Sequence, residues 1–380
     1  MLEHVFTNAK IVLANTVLDG SLVVRDDLIQ DIQDTPSALP GAYDLQGDYL
    51  MPGFVELHTD NLEKHMSPRP KTDWPSTAAV IAHDTQIAGA GITTVLDALS
   101  LGDINQSSER IAKCGKMVEG ISHAVRENLL RADHLIHLRC EVSYPGLPAA
   151  LRQNINNSLL RMMSVMDHTP GQRQFTSLEA YYTYFKGKYG LSDAELEIFI
   201  RERRRDQEMY GDAHRRIVVE IARDLKIALA SHDDATENHV AEAVKDGMTV
   251  AEFPTTIEAA KASHDLGLNV LMGAPNVVRG GSHSGNISAH ELAQKGYLDT
   301  LSSDYIPQSL LHGAMLLFDD IETINLPQAI NMISKTPAES IGLDDRGELA
   351  CGKRADLVHV YHSPHHPIVR GVWSLGRRVS

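Results

Sequence analysis

Between about residues 50 and 303, eight short apolar runs alternate with stretches of helical pattern. The runs are Leu50–Leu57, Ile92–Ala98, His134–Val142, Leu160–Asp167, Ile227–Ser231, Thr249–Phe253, Asn269–Gly273 and Asp299–Ser303. Alternation of this kind predicts parallel strands joined by helices. Eight such units over this length predict an α/β fold of the (β/α)8 barrel type. A doubly wound sheet is the alternative, but no G-x-G-x-x-G turn follows the early strands.

Polar residues recur where these runs end. His58 and Asp60 stand two apart, so a strand points both to one face. Glu63, Lys64 and His65 follow in the loop, where His65 is expected to face solvent. In the third run, alternation puts His137, Arg139 and Glu141 on one face. Later runs end in Asp167-His168, in His232 with Asp233 and Asp234, in Glu252, near Asn276, and in Asp304. Taken singly, each reads as a turn residue or a helix cap, Asp233 and Asp234 in particular. A barrel, however, gathers its strand ends into a circle of ~15 Å or less. Carboxylates converging there raise one another's pKa, and one or two divalent cations relieve the repulsion. His, Asp and Glu without Cys suit zinc or manganese, and also nickel or iron.

Both chain ends have a different texture. Residues 1–50 alternate polar and apolar positions around turn signals at Asp19-Gly20 and Pro40-Gly41, and residues 345–380 do the same. They are expected to pair into one small β-sandwich domain beside a catalytic domain of residues 51–344. A segment at about 171–216 is too long for a simple connection, and Ser192-Asp-Ala-Glu195 opens a helix in it with a capping box. Lid and solvated helical excursion both fit it.

The net charge of −15 disfavours nucleic acid as a partner. No apolar run approaches the roughly 18 residues of a membrane span. The first residues read as a strand rather than a signal peptide. Cys114, Cys140 and Cys351 lie too far apart for a disulfide framework, which points to a reducing, cytoplasmic compartment.

Pro52-Gly-Phe-Val-Glu-Leu-His-Thr-Asp60 after a strand-rich start resembles the entry to the first barrel strand of the amidohydrolase superfamily. Gly347-Glu-Leu-Ala-Cys-Gly-Lys-Arg-Ala-Asp-Leu-Val358 resembles that superfamily's return to its β domain. Further matching segments, among them Ser67-Pro-Arg-Pro-Lys71, Met166-Asp-His-Thr-Pro-Gly-Gln-Arg-Gln-Phe175 and Leu301-Ser-Ser-Asp-Tyr305, extend the resemblance over nearly the whole chain. It implies a metal-dependent hydrolase on a distorted barrel. By position, His58 is the first metal ligand, and Asp60 stands where many members have a second histidine. Glu141 matches a carboxylate that bridges two metals, His232 the fifth-strand histidine, and Asp304 the eighth-strand aspartate and general base. Glu252 departs from the pattern, since histidine is usual there; either it is a ligand or the second metal is held differently.

Within the superfamily the segments imply phosphonate degradation, with a ribosyl methylphosphonate 5-triphosphate split to the 5-phosphate and diphosphate. Lys64, Arg69, Lys71, Arg173, Arg279, Ser282 and His283 are then expected at the triphosphate, and Arg139, His168 and Asn276 at the ribose or phosphonate end. The alternative on the same scaffold is a deacetylase or cyclic-amide hydrolase. A homodimer is implied by analogy, with loose association with other phosphonate-pathway enzymes.

Overall fold

The computed structural model describes residues 3–103, 109–171, 173, 192–282, 285–363 and 366–380. Five strands come first: β1 (Glu3–Val12), β2 (Val17–Arg25), β3 (Leu28–Gln33), β4 (Tyr43–Asp44) and β5 (Tyr49–Pro52). The middle of the chain forms β6 (Phe54–Thr59), β7 (Ile92–Leu101), β8 (Asp133–Glu141), β9 (Leu160–Met166), β10 (Ala228–His232), β11 (Val250–Glu252), β12 (Asn269–Gly273) and β13 (Thr300–Ser302). Three strands close it: β14 (Leu357–His362), β15 (Pro367–Ser374) and β16 (Arg377–Arg378).

Two compact units share the chain. One holds Met1–Asp97, Glu119–Leu135 and Met272–Ser380; the other holds Ala98–Val118 and Ile136–Leu271. The first contains a mixed sheet built from both chain ends, in the order β16-β15-β14-β5-β1-β2-β3, with β4 beside β1. Its apolar face buries Phe6, Ile11, Leu22, Leu50, Leu357 and Trp373. The Phe6 and Trp373 rings meet edge to face at 4.8 Å, so residues from opposite ends of the sequence share one core.

Strands β6 to β13 form a second sheet, ordered as in the sequence. This is the nearly closed parallel barrel with helices. Every residue of β7 is buried, as expected of a strand covered on both faces. Thr59 pairs in parallel with Asp304, which brings the first strand against the end of the last. The Thr59 hydroxyl and the Asp60 N–H both donate to the Asp304 carbonyl, at 2.6 and 3.2 Å.

The run expected at Leu50–Leu57 is two strands, divided at Gly53. The Gly53 N–H donates to the Asp356 carbonyl at 2.8 Å. A Cβ at this position would lie 2.2 Å from Thr93 Oγ1 and 2.8 Å from the Asp356 Cβ. Gly53→Ala should therefore lower stability by about 1–3 kcal/mol through overpacking. Urea denaturation would register this as an earlier midpoint at unchanged slope.

In the second unit, the helix Asp193–Leu225 runs 33 residues without a break. Ser192 and Glu195 form the expected capping box. The helix continues well past the boundary read from the sequence, so residues 193–216 of the inserted segment and the helix leading to β10 are one element. Residues 172 and 174–191 of that segment lie outside the described residues. No helix among the described residues is long and apolar enough to cross a membrane.

Candidate active site

In the second unit, the carboxyl ends of β8 to β11 bring acids and histidines into one chain, buried except for the half-buried His168. Glu141, the last residue of β8, lies 2.6 Å from His168 Nδ1 through its Oε2. Its Oε1 accepts the Ser143 hydroxyl at 2.7 Å. His168 Nε2 faces Asp233 Oδ2 at 3.6 Å, and His232 Nε2 faces the same oxygen at 3.5 Å. His232 Nδ1 lies 3.1 Å from Glu252 Oε2. The order is thus Glu141, His168, Asp233, His232, Glu252.

Each imidazole meets a glutamate through Nδ1 and turns Nε2 towards Asp233. One donor atom each from His168, His232 and Asp233 lies within 4.8 Å of the others. Asp233 Oδ2 is buried without a hydrogen-bond partner. A buried orphan carboxylate oxygen between two imidazole nitrogens fits a divalent cation, and carboxylates behind the imidazoles are the usual orienting support. The charges agree with this. Burial pushes the Asp233 carboxyl up to about 6. Burial also holds His232 down to about 3, leaving its imidazole neutral as a ligand must be. Burial would lower His168 too, but the Glu141 carboxylate reverses that and raises it.

In the first unit, Glu56 and His58 share a face of β6 and are both buried. Glu56 Oε1 accepts the His58 N–H at 2.7 Å, and Oε2 accepts the Ser303 N–H at 2.5 Å. One carboxyl group thereby spaces His58 against the strand that leads to Asp304. Burial pushes Glu56 up to about 8. Asp60 and Asp304 are half-buried just beyond their strands. The Asp304 carboxylate lies towards Gly273, where an added Cβ would sit 3.8 Å from Oδ2. Asp233, Phe253 and Asp304 all carry left-handed φ, near 57°, 53° and 52°. Strained backbone at the ends of β10, β11 and β13 is a mark of functional positions.

The basic residues divide. Lys64 is exposed, donates to the Tyr305 carbonyl and lies 5.1 Å from the Tyr305 ring centre. Arg69, Lys71 and Arg279 are exposed, and Ser282 is half-buried. His283 lies outside the described residues. Arg173 is buried instead, bound to Asp234 and, at 3.1 Å, to Glu242, so it braces its surroundings rather than standing open to phosphate. Asn276 is likewise engaged at both ends of its amide, by the Ile287 carbonyl at 3.3 Å and the Ala289 N–H at 3.0 Å. That ties Ile287 and Ala289 to the helical turn after β12 through the amide expected to read the substrate. His168, also expected at the substrate, sits in the group with His232 and Asp233 that could hold a cation. Asp233 is no helix cap: Thr236 caps that helix, accepting the His239 N–H at 3.3 Å.

His65 does not face solvent. It is half-buried, with Nε2 3.1 Å from Gln86 Oε1 and 3.4 Å from Asn61 Nδ2. Behind it lies a polar chain that strand-end reasoning missed. Asn61 Nδ2 is 3.1 Å from His83 Nδ1, His83 Nε2 is 2.8 Å from Asp97 Oδ1, and His134 Nδ1 is 2.8 Å from Asp97 Oδ2. Asp97 holds both imidazoles, while His134 Nε2 lacks a hydrogen-bond partner and faces Asp84 Oδ1 at 3.5 Å. The sequence signal was three charged residues at otherwise apolar positions.

Comparison with known proteins bears on the family. The Amidohydrolase family model matches residues 205–379. The chain is 46% identical over 376 residues to the alpha-D-ribose 1-methylphosphonate 5-triphosphate diphosphatase of Escherichia coli strain K12, covering 99% of this chain and 100% of that one. The chain belongs to the amidohydrolase family. Solved structures of similar fold include N-acetylglucosamine-6-phosphate deacetylase from Pasteurella multocida, at TM-score 0.63 and 15% identity over all of both chains. Dihydropyrimidinase from Brevibacillus agri follows at TM-score 0.61 and 14% identity, covering 100% of this amidohydrolase and 95% of the other chain. At such identities the likeness is one of fold alone.

Proposed function

We propose that this amidohydrolase hydrolyses α-D-ribose 1-methylphosphonate 5-triphosphate to the 5-phosphate and diphosphate during phosphonate degradation. The observation that carries the reading is full-length identity of 46% to a protein named for that activity. The deacetylase or cyclic-amide alternative has support from fold alone.

We assign the metal ligands from His58, Asp60, Glu141, His232, Glu252 and Asp304, and add His168 and Asp233 from their geometry. The donor set suits one or two zinc ions, with manganese, nickel or iron as substitutes. Such a metal, when bound, supplies charge for phosphoryl oxygens and makes water acidic enough to attack at neutral pH. Asp304 takes the proton of the attacking water as its oxygen bonds to phosphorus. The P–O bond between the α- and β-phosphorus breaks, and the products are the ribosyl 5-phosphate and diphosphate. Lys64, Arg69, Lys71 and Arg279 hold the triphosphate, arginine as a fork and lysine as a point charge, with Ser282 and His283 beside them. Residues 1–50 with 345–380 serve as the small domain, and 51–344 as the catalytic one. We further propose a cytoplasmic homodimer, loosely associated with other enzymes of phosphonate breakdown.

Phosphorus NMR of the purified protein with the ribosyl triphosphate in oxygen-18 water tests the reaction. Diphosphate and the ribosyl 5-phosphate are the expected products, and the label marks the phosphorus attacked. Inorganic phosphate alone, or no reaction in metal-loaded protein, rejects the reading. Chelation should abolish turnover, and added zinc or manganese should restore it.

A further inference from the structure

Four arginines among the described residues are buried: Arg139, Arg173, Arg203 and Arg346. Three of them are neutralised at short range. Arg173 pairs with Asp234 and Glu242, Arg203 with Asp206 at 3.0 Å, and Arg346 with Asp133 at 2.6 Å. Arg139 is 9% exposed, as Arg346 is, and its Nε lacks a hydrogen-bond partner, as that of Arg203 does, but no carboxylate among the described residues pairs with it at short range. Leaving a guanidinium buried with an unused donor is strongly unfavourable, and such a group calls for a ligand.

The surroundings indicate which ligand. Arg139 stands on β8, two residues before Glu141 and on the same face. His168, His232, Asp233 and Glu252 all feel its charge. The guanidinium therefore lies near the acid–histidine group of the second unit. An acyl substrate develops one oxyanion during hydrolysis, and a metal alone can hold it. A phosphoryl group under attack spreads its charge over three oxygens, and a fork of N–H donors grips two of them at once.

We infer that Arg139 binds the phosphoryl group under attack, and that it selects phosphoanhydrides over acyl substrates on this scaffold. This rests on the triphosphate reading above and gives it a specificity residue.

Wild type, Arg139→Lys and Arg139→Met, each metal-loaded, are compared for metal content, steady-state turnover of the triphosphate and calorimetric binding of inorganic diphosphate. The methionine variant should keep its metal and its circular dichroism, lose about 10²–10³ in kcat, and bind diphosphate at least about tenfold more weakly. Lysine keeps the charge without the fork and should recover only part of either loss. Guanidinium added to Arg139→Ala should restore turnover in a saturable manner. Methionine variants with wild-type kcat and diphosphate affinity overturn the inference. So do variants that lose metal in proportion to activity, because Arg139 would then only balance charge. Should wild type leave the triphosphate intact, the functional reading fails, while diphosphate binding by the variants still decides whether Arg139 holds phosphate.

Discussion

Asp304→Asn should retain its metal and lose about 10²–10⁴ in kcat, the range expected when a general base is removed. The substitution is unusually clean at this position. Asp304 closes the barrel through its backbone carbonyl, which accepts the Thr59 hydroxyl and the Asp60 N–H, and the variant keeps that carbonyl. Its φ is near 52°, a left-handed conformation that asparagine tolerates better than most residues. The fold is therefore expected to survive with the side-chain shape preserved. The carboxylate's charge and its ability to take a proton are lost, while the amide oxygen can still meet a metal held by the other ligands. Unfolding midpoint and metal content should match wild type within error, so the defect will lie in kcat. A variant with unchanged kcat removes Asp304 from the mechanism.

The barrel strands were legible because each is buried on both faces and reads as an apolar run against its helical surroundings. The break at Gly53 was not, because the apolar run continues through it and only the approach of Thr93 and Asp356 requires glycine there. Candidate ligands at strand ends were legible by alternation, as with His137, Arg139 and Glu141 on β8. What alternation cannot say is where a polar group finds its partner. Arg173 and Asn276 follow strands just as the site residues do, yet both are taken up by neighbours distant in the sequence. Asp233 looked like a cap because it precedes a helix. Its left-handed backbone turns it out of that role, and no pattern of residue types announces such a conformation. The His83, Asp97 and His134 group draws on a helix and two strands, so local periodicity had no means of joining it.

That group carries the second large expectation: Asp97→Asn should lower stability by about 3–5 kcal/mol, the cost of breaking a buried ion pair from one side. Asp97 lies between His83 and His134 at 2.8 Å from each, and the three side chains are fully buried. His134 also faces Asp84 at 3.5 Å, and Asp84 accepts the N–H groups of Arg131 and Ala132. Burial works against charge on His134, yet Asp97 and Asp84 together lift it to about 9. Burial would raise Asp97, but His134 and His83 hold it well below the usual carboxylate range. An amide in place of Asp97 removes the charge that compensates the imidazolium, and its N–H₂ turns donor against donor on one side. The pH dependence follows from the two shifts. His134 is raised in the folded state, so its contribution is complete below about 6.5 and is lost as pH climbs through about 9. Asp97 is depressed, so its contribution is present above its ordinary 3.8 and is lost as pH falls through its lower folded value. Urea midpoints of wild type should therefore decline on the alkaline side from about 6.5 to 9, and that decline should flatten in Asp97→Asn, where His134 keeps only Asp84. Equal midpoints at pH 6, or an alkaline fall as steep as that of wild type, would mean that the network carries no such load. Because His83 also meets Asn61, the residue after Asp60, the variant should loosen the strand-end loop that carries Lys64 as well as the fold around it.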